Sequence, residues 1–208
     1  MLYLTGQVLH DGHSRLDTDT MTWVPDDTLQ EGRQISEKEA VCWLQKESGT
    51  PLRPPVAVIG PREASDEERA MARELGHRIA ALGLTVLCGG RQGVMESVCL
   101  GVKEGNGVSV GLLPEDDWRK GNAYVTVPIS TGIGIARNAL IARAAVAVVA
   151  VGGGLGTISE IALSLQFGKR VIGLCHPPYV EGLQLVESLD EAEVELCRAV
   201  LGLPARQA

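Results

Sequence analysis

The stretch AVAVVAVGGGLGTISEIALSLQFGKRVIGL, residues 145–174, carries the pattern on which the fold prediction depends. Residues 145–151 are apolar at every position, which is typical of a central strand covered by helices on both faces. A glycine-rich turn and an amphipathic segment follow. Glycines let the backbone approach a ligand, and a helix start offers unpaired N–H groups with partial positive charge. The turn therefore predicts a phosphate site; the alternative is a tight strand-to-helix connection without a ligand.

The same alternation continues on both sides of this stretch. From residue 56 onward, β-branched runs alternate with longer amphipathic segments, which predicts repeated strand, helix, strand units. We predict strands at 56–59, 84–88, 108–113, 124–127, 145–151 and 171–174. We predict helices at 65–83, 93–105, 133–145, 157–169 and 183–201, the first capped by Ser65 and ended by Gly83. The fold class is therefore α/β, an open parallel sheet with helices on both faces.

Two further turns carry the same signal as the first. VLCGGRQGVMES (86–97) places glycines between a strand and a helix, and VIGPREAS (58–65) places a glycine and an arginine after the first strand. The carboxyl ends of parallel strands lie along one edge, where ligands bind near the point at which the strand order reverses. The three turns supply one predicted ligand-binding set: Gly60, Arg62, Gly89, Gly90, Gly93, Gly152, Gly153, Gly154, Gly156 and Thr157.

Two common nucleotide motifs do not fit these turns. A P-loop requires Gly-Lys-Ser/Thr, which the chain lacks, so ATPase or kinase chemistry is disfavoured. A dinucleotide fingerprint requires a glycine where Ser159 stands and an acidic residue near Leu174, where the sequence continues with Cys175 and His176. NAD binding is therefore a minor alternative.

Arg137 and Glu160 each have two interpretations. Helical spacing aligns Arg137 with four apolar residues, Ile133, Leu140, Ile141 and Ala144. Its inward guanidinium either binds a phosphate or extends past the core to solvent or a carboxylate. Glu160 follows Thr157 by three residues, so it either completes a capping box or acts beside a bound phosphate, orienting water or stabilising a cationic sugar-like transition state. The sequence leaves both questions open.

Residues 1–54 differ in pattern from the rest of the chain. LYLTGQVLH (2–10) and TMTWV (20–24) predict a hairpin, and SEKEAVCWLQKES (36–48) carries a capping box at Ser36 and Glu39 before a short helix. GTPLRPPV (49–56) contains three prolines and predicts a linker. We therefore divide the chain into an N-terminal arm, 1–54, and a ligand-binding domain, 55–208. The arm packs either on this domain or on a partner subunit.

Composition and charge limit the function classes. A chain of 208 residues, 45% of them hydrophobic, can form one full core. Its net charge of −7 and aromatic content of 3% oppose nucleic-acid binding. Five spaced cysteines without a C-x-x-C pair favour reduced thiols in the cytoplasm, and the longest apolar run, 144–151, is too short to span a membrane.

His10 and His13 lack a third neighbouring ligand, so we predict no metal site. The acidic run PEDD, 114–117, either gates anions or is a solvated loop.

Three segments together resemble a known family: CGGRQGVMES (88–97), VSVGLLPEDD (108–117) and TGIGIARNALIARAAVAVVAVGGGLGTISEIALSLQFGKRVIGL (131–174). They are similar to the Rossmann-like family long mislabelled as lysine decarboxylases. That family includes the cytokinin-activating LOG phosphoribohydrolases and the molybdenum cofactor carrier proteins. The likeness covers about residues 55–180 and implies a Rossmann-like sheet.

The resemblance implies roles for individual residues. It makes Gly153, Gly154, Gly156 and Thr157 the phosphate cradle. In a LOG-type enzyme, which cleaves the N-glycosidic bond of a nucleoside 5′-monophosphate, Arg137 and Glu160 would be the catalytic pair. The matched motifs add Met95, Gly134 and Asn138 to the ligand-binding set.

The chain departs from the enzyme pattern at three positions. It has Val151 where the enzymes have proline, Asn138 where they have lysine, and Glu96 where they have glycine. These departures look more like the carrier branch, which binds molybdopterin-type ligands at the same edge. We therefore predict a carrier of a phosphorylated nucleotide-like or molybdopterin-type ligand, with no required cofactor.

Two alternatives to the carrier remain: a nucleoside 5′-monophosphate phosphoribohydrolase, and a structural or regulatory oligomer without catalysis. A lysine decarboxylase is disfavoured because Lys103, Lys120 and Lys169 lack a setting suited to pyridoxal phosphate. The resemblance also implies a homo-oligomer, a dimer or a tetramer, and Ala-rich helices would leave apolar faces to cover. We predict no nucleic-acid or membrane partner.

Overall fold

The computed structural model describes residues 1–206, which form two β-sheets and six α-helices. The strands are β1 Leu2–Thr5, β2 Val8–His10, β3 Ser14–Asp17, β4 Thr22–Pro25, β5 Arg33–Ile35, β6 Val56–Ile59, β7 Val86–Cys88, β8 Ser109–Leu113, β9 Val127–Ser130, β10 Ala147–Val151, β11 Arg170–Leu174 and β12 Gln184–Leu185. The α-helices are α1 Glu37–Lys46, α2 Asp66–Ala81, α3 Val94–Glu104, α4 Asn138–Ala144, α5 Leu155–Gln166 and α6 Leu189–Val200. Two short 3-10 helices lie at Trp118–Lys120 and Gly134–Arg137.

The larger sheet has seven parallel strands in the order β12-β11-β10-β6-β7-β8-β9. The chain proceeds outward from β6 to β9, returns to place β10 beside β6, and then continues outward in the opposite direction. The strand order therefore reverses between β6 and β10, which is where an open parallel sheet forms a binding crevice. The prediction of an α/β fold with an open parallel sheet is confirmed.

Helices cover both faces of this sheet. All of β10 is buried. Val149 and Val151 belong to the core cluster shared with α2, α3 and α6, whereas Val148 packs in a second cluster with Ile141 of α4 and Ile161 of α5. Two buried faces explain why the strand is apolar at every position instead of alternating with polar residues.

Most predicted elements shift by a few residues at their ends in the structure, and three of them differ more. The strand expected at 124–127 begins at Val127, because the Asn122 side chain accepts hydrogen bonds from the N–H groups of Tyr124 and Val125 and holds them in a turn. The helix expected at 133–145 is a 3-10 turn followed by α4, with Gly134 at φ +60° where the turn begins. The helix expected at 183–201 is shorter, since β12 precedes α6.

The N-terminal region forms a five-stranded antiparallel sheet in the order β4-β3-β2-β1-β5. The predicted hairpin between 2–10 and 20–24 is wrong, because these segments pair with other partners. Residues 2–10 form a hairpin by themselves, β1 with β2, and β4 pairs with β3. The predicted capping box is present at the start of α1, where Ser36 and Glu39 cap each other's backbone.

The arm packs on the rest of its own chain. Leu9 and Leu44 are fully buried in the same core cluster as Leu196 of α6. The indole of Trp23 donates to the carbonyl oxygen of Leu201 over 2.8 Å. The first of the two alternatives for the arm, packing on the larger domain, is therefore the one observed. Within residues 1–206 no helix is both long enough and apolar enough to cross a bilayer.

Candidate functional site

The turns after β6 and β7 are held against each other at the carboxyl edge of the sheet. Gly93 has φ +73°, and a Cβ there would stand 2.3 Å from the carbonyl oxygen of Arg62. The N–H of Val94 donates to the carbonyl oxygen of Pro61 over 3.1 Å. Gly60 lies equally close to β10, since a Cβ there would be 2.6 Å from the carbonyl oxygen of Val151. Glycines at these positions allow a close contact that no other residue permits.

The turn after β10 opens toward solvent where α5 begins. Gly154 is the N-cap of α5, and its carbonyl oxygen accepts the first helical hydrogen bond, from Ile158 over 2.9 Å. The N–H groups of Leu155, Gly156 and Thr157 precede this bond and have no helical acceptor. A Cβ at Gly154 or Gly156 would meet no atom within 4 Å. A helix start with three orphan donors and no side chain crowding its two glycines has the features that anion binding requires.

Glu160 does not belong to a capping box with Thr157. The helix begins at Leu155, so Thr157 is already its third residue, and the Thr157 hydroxyl accepts from the N–H of Gly154 over 3.4 Å. Glu160 lies one turn further along and faces inward. The capping-box alternative is wrong because the helix starts two residues before Thr157.

Glu160 forms a buried ion pair with Arg137. Nη1 of Arg137 donates to Oε1 of Glu160 over 2.8 Å, and the two side chains are only 10% and 9% exposed. The same Nη1 donates to the side-chain oxygen of Asn138, and Nε of Arg137 has no partner among the described residues. Burial raises the pKa of Glu160 to about 7, although the Arg137 cation and its hydrogen bond act in the opposite direction. The cleft therefore contains a carboxyl that exchanges a proton near neutral pH.

Gly89 fixes the position of the Arg137 guanidinium. A Cβ at residue 89 would stand 2.1 Å from Nη2 of Arg137 and 2.7 Å from the sulfur of Met95. The guanidinium thus lies directly on the backbone of the turn after β7. Arg137 is buried as expected, but the helical alignment behind that expectation does not hold, because Arg137 lies in the 3-10 turn before α4. Of the four apolar residues aligned with it, Ile141 is buried, whereas Ile133, Leu140 and Ala144 are exposed.

These elements enclose a cleft of about 560 Å³. Nine of the predicted site residues line it: Gly60, Arg62, Met95, Arg137, Asn138, Gly154, Gly156, Thr157 and Glu160. Six other predicted residues shape the turns behind its walls: Gly89, Gly90, Gly93, Gly134, Gly152 and Gly153. Gly152, for example, has φ +59° and packs on the carboxylate of Glu68. The structure brings the three turns together as predicted, with Arg137 and Glu160 between them.

Sequence reasoning missed several residues that line the cleft. Arg91 and Glu115 form an ion pair there, so the PEDD segment is more than a solvated loop. Burial lowers the pKa of Arg91, and the cations of Arg62 and Arg137 lower it further. Three guanidinium groups thus lie close enough to repel one another, a repulsion that a bound anion would relieve. The position of Arg91 between Gly90 and Gly93 was the available signal, and its partner Glu115, 24 residues away, lay in the PEDD run.

Two apolar side chains at the cleft were also missed. Ile135 and Leu155 line it, and each is 87% exposed. Ile135 lies in the 3-10 turn before α4, and Leu155 is the first residue of α5. The cleft therefore combines a polar interior with aliphatic groups at its mouth.

The arrangement of this site can be compared with known proteins. A model of the family described as "SLOG cluster4 family" matches residues 53–199. An uncharacterized protein of Archaeoglobus fulgidus is 40% identical over 139 residues, which are 66% of this chain and 90% of that protein.

Two solved structures share both the fold and about a third of the aligned sequence. The molybdenum cofactor binding protein of Rippkaea orientalis has 32% identity and a TM-score of 0.66, with 72% of this chain and 99% of that chain covered. The molybdenum cofactor carrier protein of Chlamydomonas reinhardtii gives the same four values.

Proposed function

The chain belongs to the SLOG cluster4 family, and we propose that it binds a phosphorylated ligand, nucleotide-like or molybdopterin-type, and carries it without transforming it. The observation that carries the proposal is the start of α5, where Leu155, Gly156 and Thr157, whose backbone N–H groups lack helical acceptors, line the cleft. A helix start of this kind binds the phosphate group and does not distinguish between the bases or sugars attached to it. The rest of the ligand would extend toward Arg62 and Arg91.

The residues of the cleft fit such a ligand in size and charge. A volume of about 560 Å³ lies within the usual range for small-molecule sites. Arg137 and Arg91 each keep a buried Nε without a partner among residues 1–206, and Arg62 forms no ion pair there. These guanidinium groups can donate to a second polar group of the ligand. Ile135 and Leu155 offer aliphatic surface to its ring.

Asn138 supports the carrier over the hydrolase. The enzymes that the sequence resembles have lysine here, whereas Asn138 accepts from Arg137 and donates to the Ser159 hydroxyl over 3.0 Å. A lysine has no acceptor and would add a fourth cation to the cleft. Glu160 and Asn138 both accept hydrogen bonds from Arg137 and hold it in place. A fixed guanidinium of this kind suits a site that binds its ligand without reacting with it.

One observation favours phosphoribohydrolase activity as a second candidate. With a pKa of about 7, Glu160 can donate a proton at neutral pH, as a general acid must. It lies on the helix whose start would hold the phosphate. In this candidate function Glu160 and Arg137 act on the N-glycosidic bond of a nucleoside 5′-monophosphate.

An apolar face beside the cleft supports the proposal of a homo-oligomer. It consists of exposed side chains from the 3-10 turn, α4 and α5: Ile133, Ile135, Leu140, Leu155 and Ile158. Isolated exposed apolar residues are ordinary, but five on adjoining elements are typical of an interface. We propose a dimer or a tetramer formed through this face, and sedimentation of wild type against Leu140→Glu tests it. A wild-type monomer would contradict this assembly and leave the ligand proposal unaffected.

Calorimetric titration and product analysis separate the carrier from the hydrolase. The probes are AMP, GMP and molybdenum cofactor released from a molybdoenzyme, and free base is measured by chromatography. The carrier proposal predicts binding of a probe with no free base. Release of base that is lost in Glu160→Gln and kept in the remote control Glu47→Gln would establish the hydrolase instead. If wild type binds none of the probes, the ligand proposal is wrong.

A further inference from the structure

Two cysteine thiols lie in contact beneath the candidate site. Cys88 is the last residue of β7, Cys99 lies in α3, and their sulfur atoms are 3.6 Å apart. Both residues are fully buried, and neither is in a disulfide. Neither thiol lines the cleft or has a role in the proposed function.

A short covalent path joins this pair to the cleft. Cys88 is followed directly by Gly89, on whose backbone the Arg137 guanidinium lies. The N–H of Gly90 donates to the sulfur of Cys88 over 3.4 Å. A Cβ at Gly90 would be 2.7 Å from the Leu113 side chain, so the turn has no free space on that side either. Movement of the Cys88 backbone must therefore displace Arg137.

We propose that Cys88 and Cys99 are an oxidative modification site, at which a reversible disulfide displaces the Gly89–Gly90 turn and weakens ligand binding through Arg137. Of these two claims, only the loss of ligand affinity rests on the proposed function; formation of the disulfide does not. A disulfide holds its sulfur atoms about 2 Å apart, so the pair must approach by about 1.5 Å. In a close-packed core, a shift of that size is transmitted to the neighbouring atoms.

Hydrogen peroxide is the oxidant class that the reaction requires. One thiolate attacks the peroxide O–O bond, giving a sulfenic acid and hydroxide, which takes up a proton to become water. The second sulfur then attacks the sulfenic sulfur, forms the S–S bond and expels the hydroxyl group, which also leaves as water. Two thiols and one peroxide thus give one disulfide and two waters. A dithiol reductant reverses the change by exchange.

The contact between the thiols favours Cys99 as the first to react. A hydrogen bond from the Cys88 thiol lowers the pKa of Cys99, and the same contact raises the pKa of Cys88. Burial slows access, so oxidation must follow local opening of the turn or of α3. We expect the partly exposed Cys42 and Cys175 to react earlier with peroxide.

Peptide mapping and titration after oxidation test this proposal. The full chain is treated with peroxide, and mapping under non-reducing conditions is expected to show a Cys88–Cys99 cross-link that is absent from Cys99→Ser and Cys88→Ser. Affinity for AMP is expected to fall at least about tenfold on oxidation, the scale of typical coupling between sites, and to recover with dithiothreitol. Cys175→Ser, the matched control, should keep both the cross-link and the loss of affinity.

Amide hydrogen exchange gives a second readout that needs no ligand. Oxidation is expected to speed exchange in segments 89–93 and 134–138 of wild type and to leave Cys99→Ser unchanged. Absence of the cross-link, or a cross-link without faster exchange, would overturn the proposal. If the reduced wild type binds no AMP, that result contradicts only the choice of AMP as the ligand. The oxidation proposal is still tested, because the cross-link and the exchange rates remain measurable.

Discussion

The guanidinium of Arg137 donates to the carboxylate of Glu160 over 2.8 Å, and this buried pair joins the 3-10 turn after β9 to α5. The two residues are 23 positions apart and belong to elements that each carry part of the cleft wall. Burial of both charges is costly, and only their mutual attraction and hydrogen bonds compensate. The stability of the charged pair therefore depends on its surroundings, and substitutions of either residue measure that dependence.

Removing the two partners of this pair should have unequal effects on stability. At pH 6 the carboxyl of Glu160 is mostly protonated in the folded protein, so Glu160→Gln replaces one neutral group by another of similar shape, and we expect it to lower the free energy of unfolding by less than about 1 kcal/mol. Arg137→Met removes the hydrogen bonds that the guanidinium donates to Glu160 and Asn138 and leaves these acceptors without that donor, so its loss should be larger, about 2 to 3 kcal/mol. Urea unfolding at pH 6 measures both. Equal losses would contradict the assignment of a raised pKa to Glu160.

The stability contributed by Glu160 should fall as the pH rises from 4.5 to about 7. In the folded protein its pKa is about 7, against an ordinary value of 4.5, so the folded state binds more protons in this window. The contribution is complete below pH 4.5 and is lost by about pH 7. We expect a loss of about 3 kcal/mol in the wild type relative to Glu160→Gln across the window. Unfolding curves at pH 5 and pH 7.5 supply the comparison, and parallel curves for the two proteins would refute it.

Substitutions at two glycines should separate positioning of Arg137 from contact with the ligand. At Gly89 a Cβ would strike Nη2 of Arg137, so Gly89→Ala is expected to cost about 1 to 3 kcal/mol of stability and also to weaken AMP binding. At Gly156 a Cβ meets no protein atom, so Gly156→Ala should fold as well as wild type and lose only AMP affinity. Thermal unfolding and calorimetric titration measure the two effects. Unchanged AMP binding by Gly156→Ala would place the phosphate away from the start of α5.

The sequence predicted what depends on local pattern. The uninterrupted apolar run before Gly152 implied a strand buried on both faces, and the three glycine turns implied one edge. Each of these follows from periodicity or from backbone freedom, which neighbouring residues determine. Arg137 is inward as expected, although three of the four apolar residues whose spacing suggested this are exposed.

Features that depend on distant contacts could not be predicted. The residues alone did not show that Glu160 contacts Arg137, because a capping box with Thr157 was an equally good local explanation; only the family resemblance grouped the two. The ion pair of Arg91 with Glu115 joins two turns, and the residues near each turn do not reveal that the two are close in space. The antiparallel sheet of residues 2–35 was mistaken for one hairpin because short strands with exposed edges have weak periodicity.

The arm should unfold together with the larger domain, since the two share one core. Leu44 of α1 is fully buried in the cluster that contains Leu196 of α6, and the Lys38 ammonium donates to the buried carboxylate of Glu193 over 2.9 Å. Leu44→Ala is therefore expected to lower the unfolding free energy of the whole chain by about 2 to 5 kcal/mol in a single transition. Urea titration followed by circular dichroism and by tryptophan fluorescence checks this, because two of the three tryptophans, Trp23 and Trp43, lie in the arm and the third, Trp118, is largely exposed. An earlier transition in fluorescence than in circular dichroism would show instead that the arm folds independently.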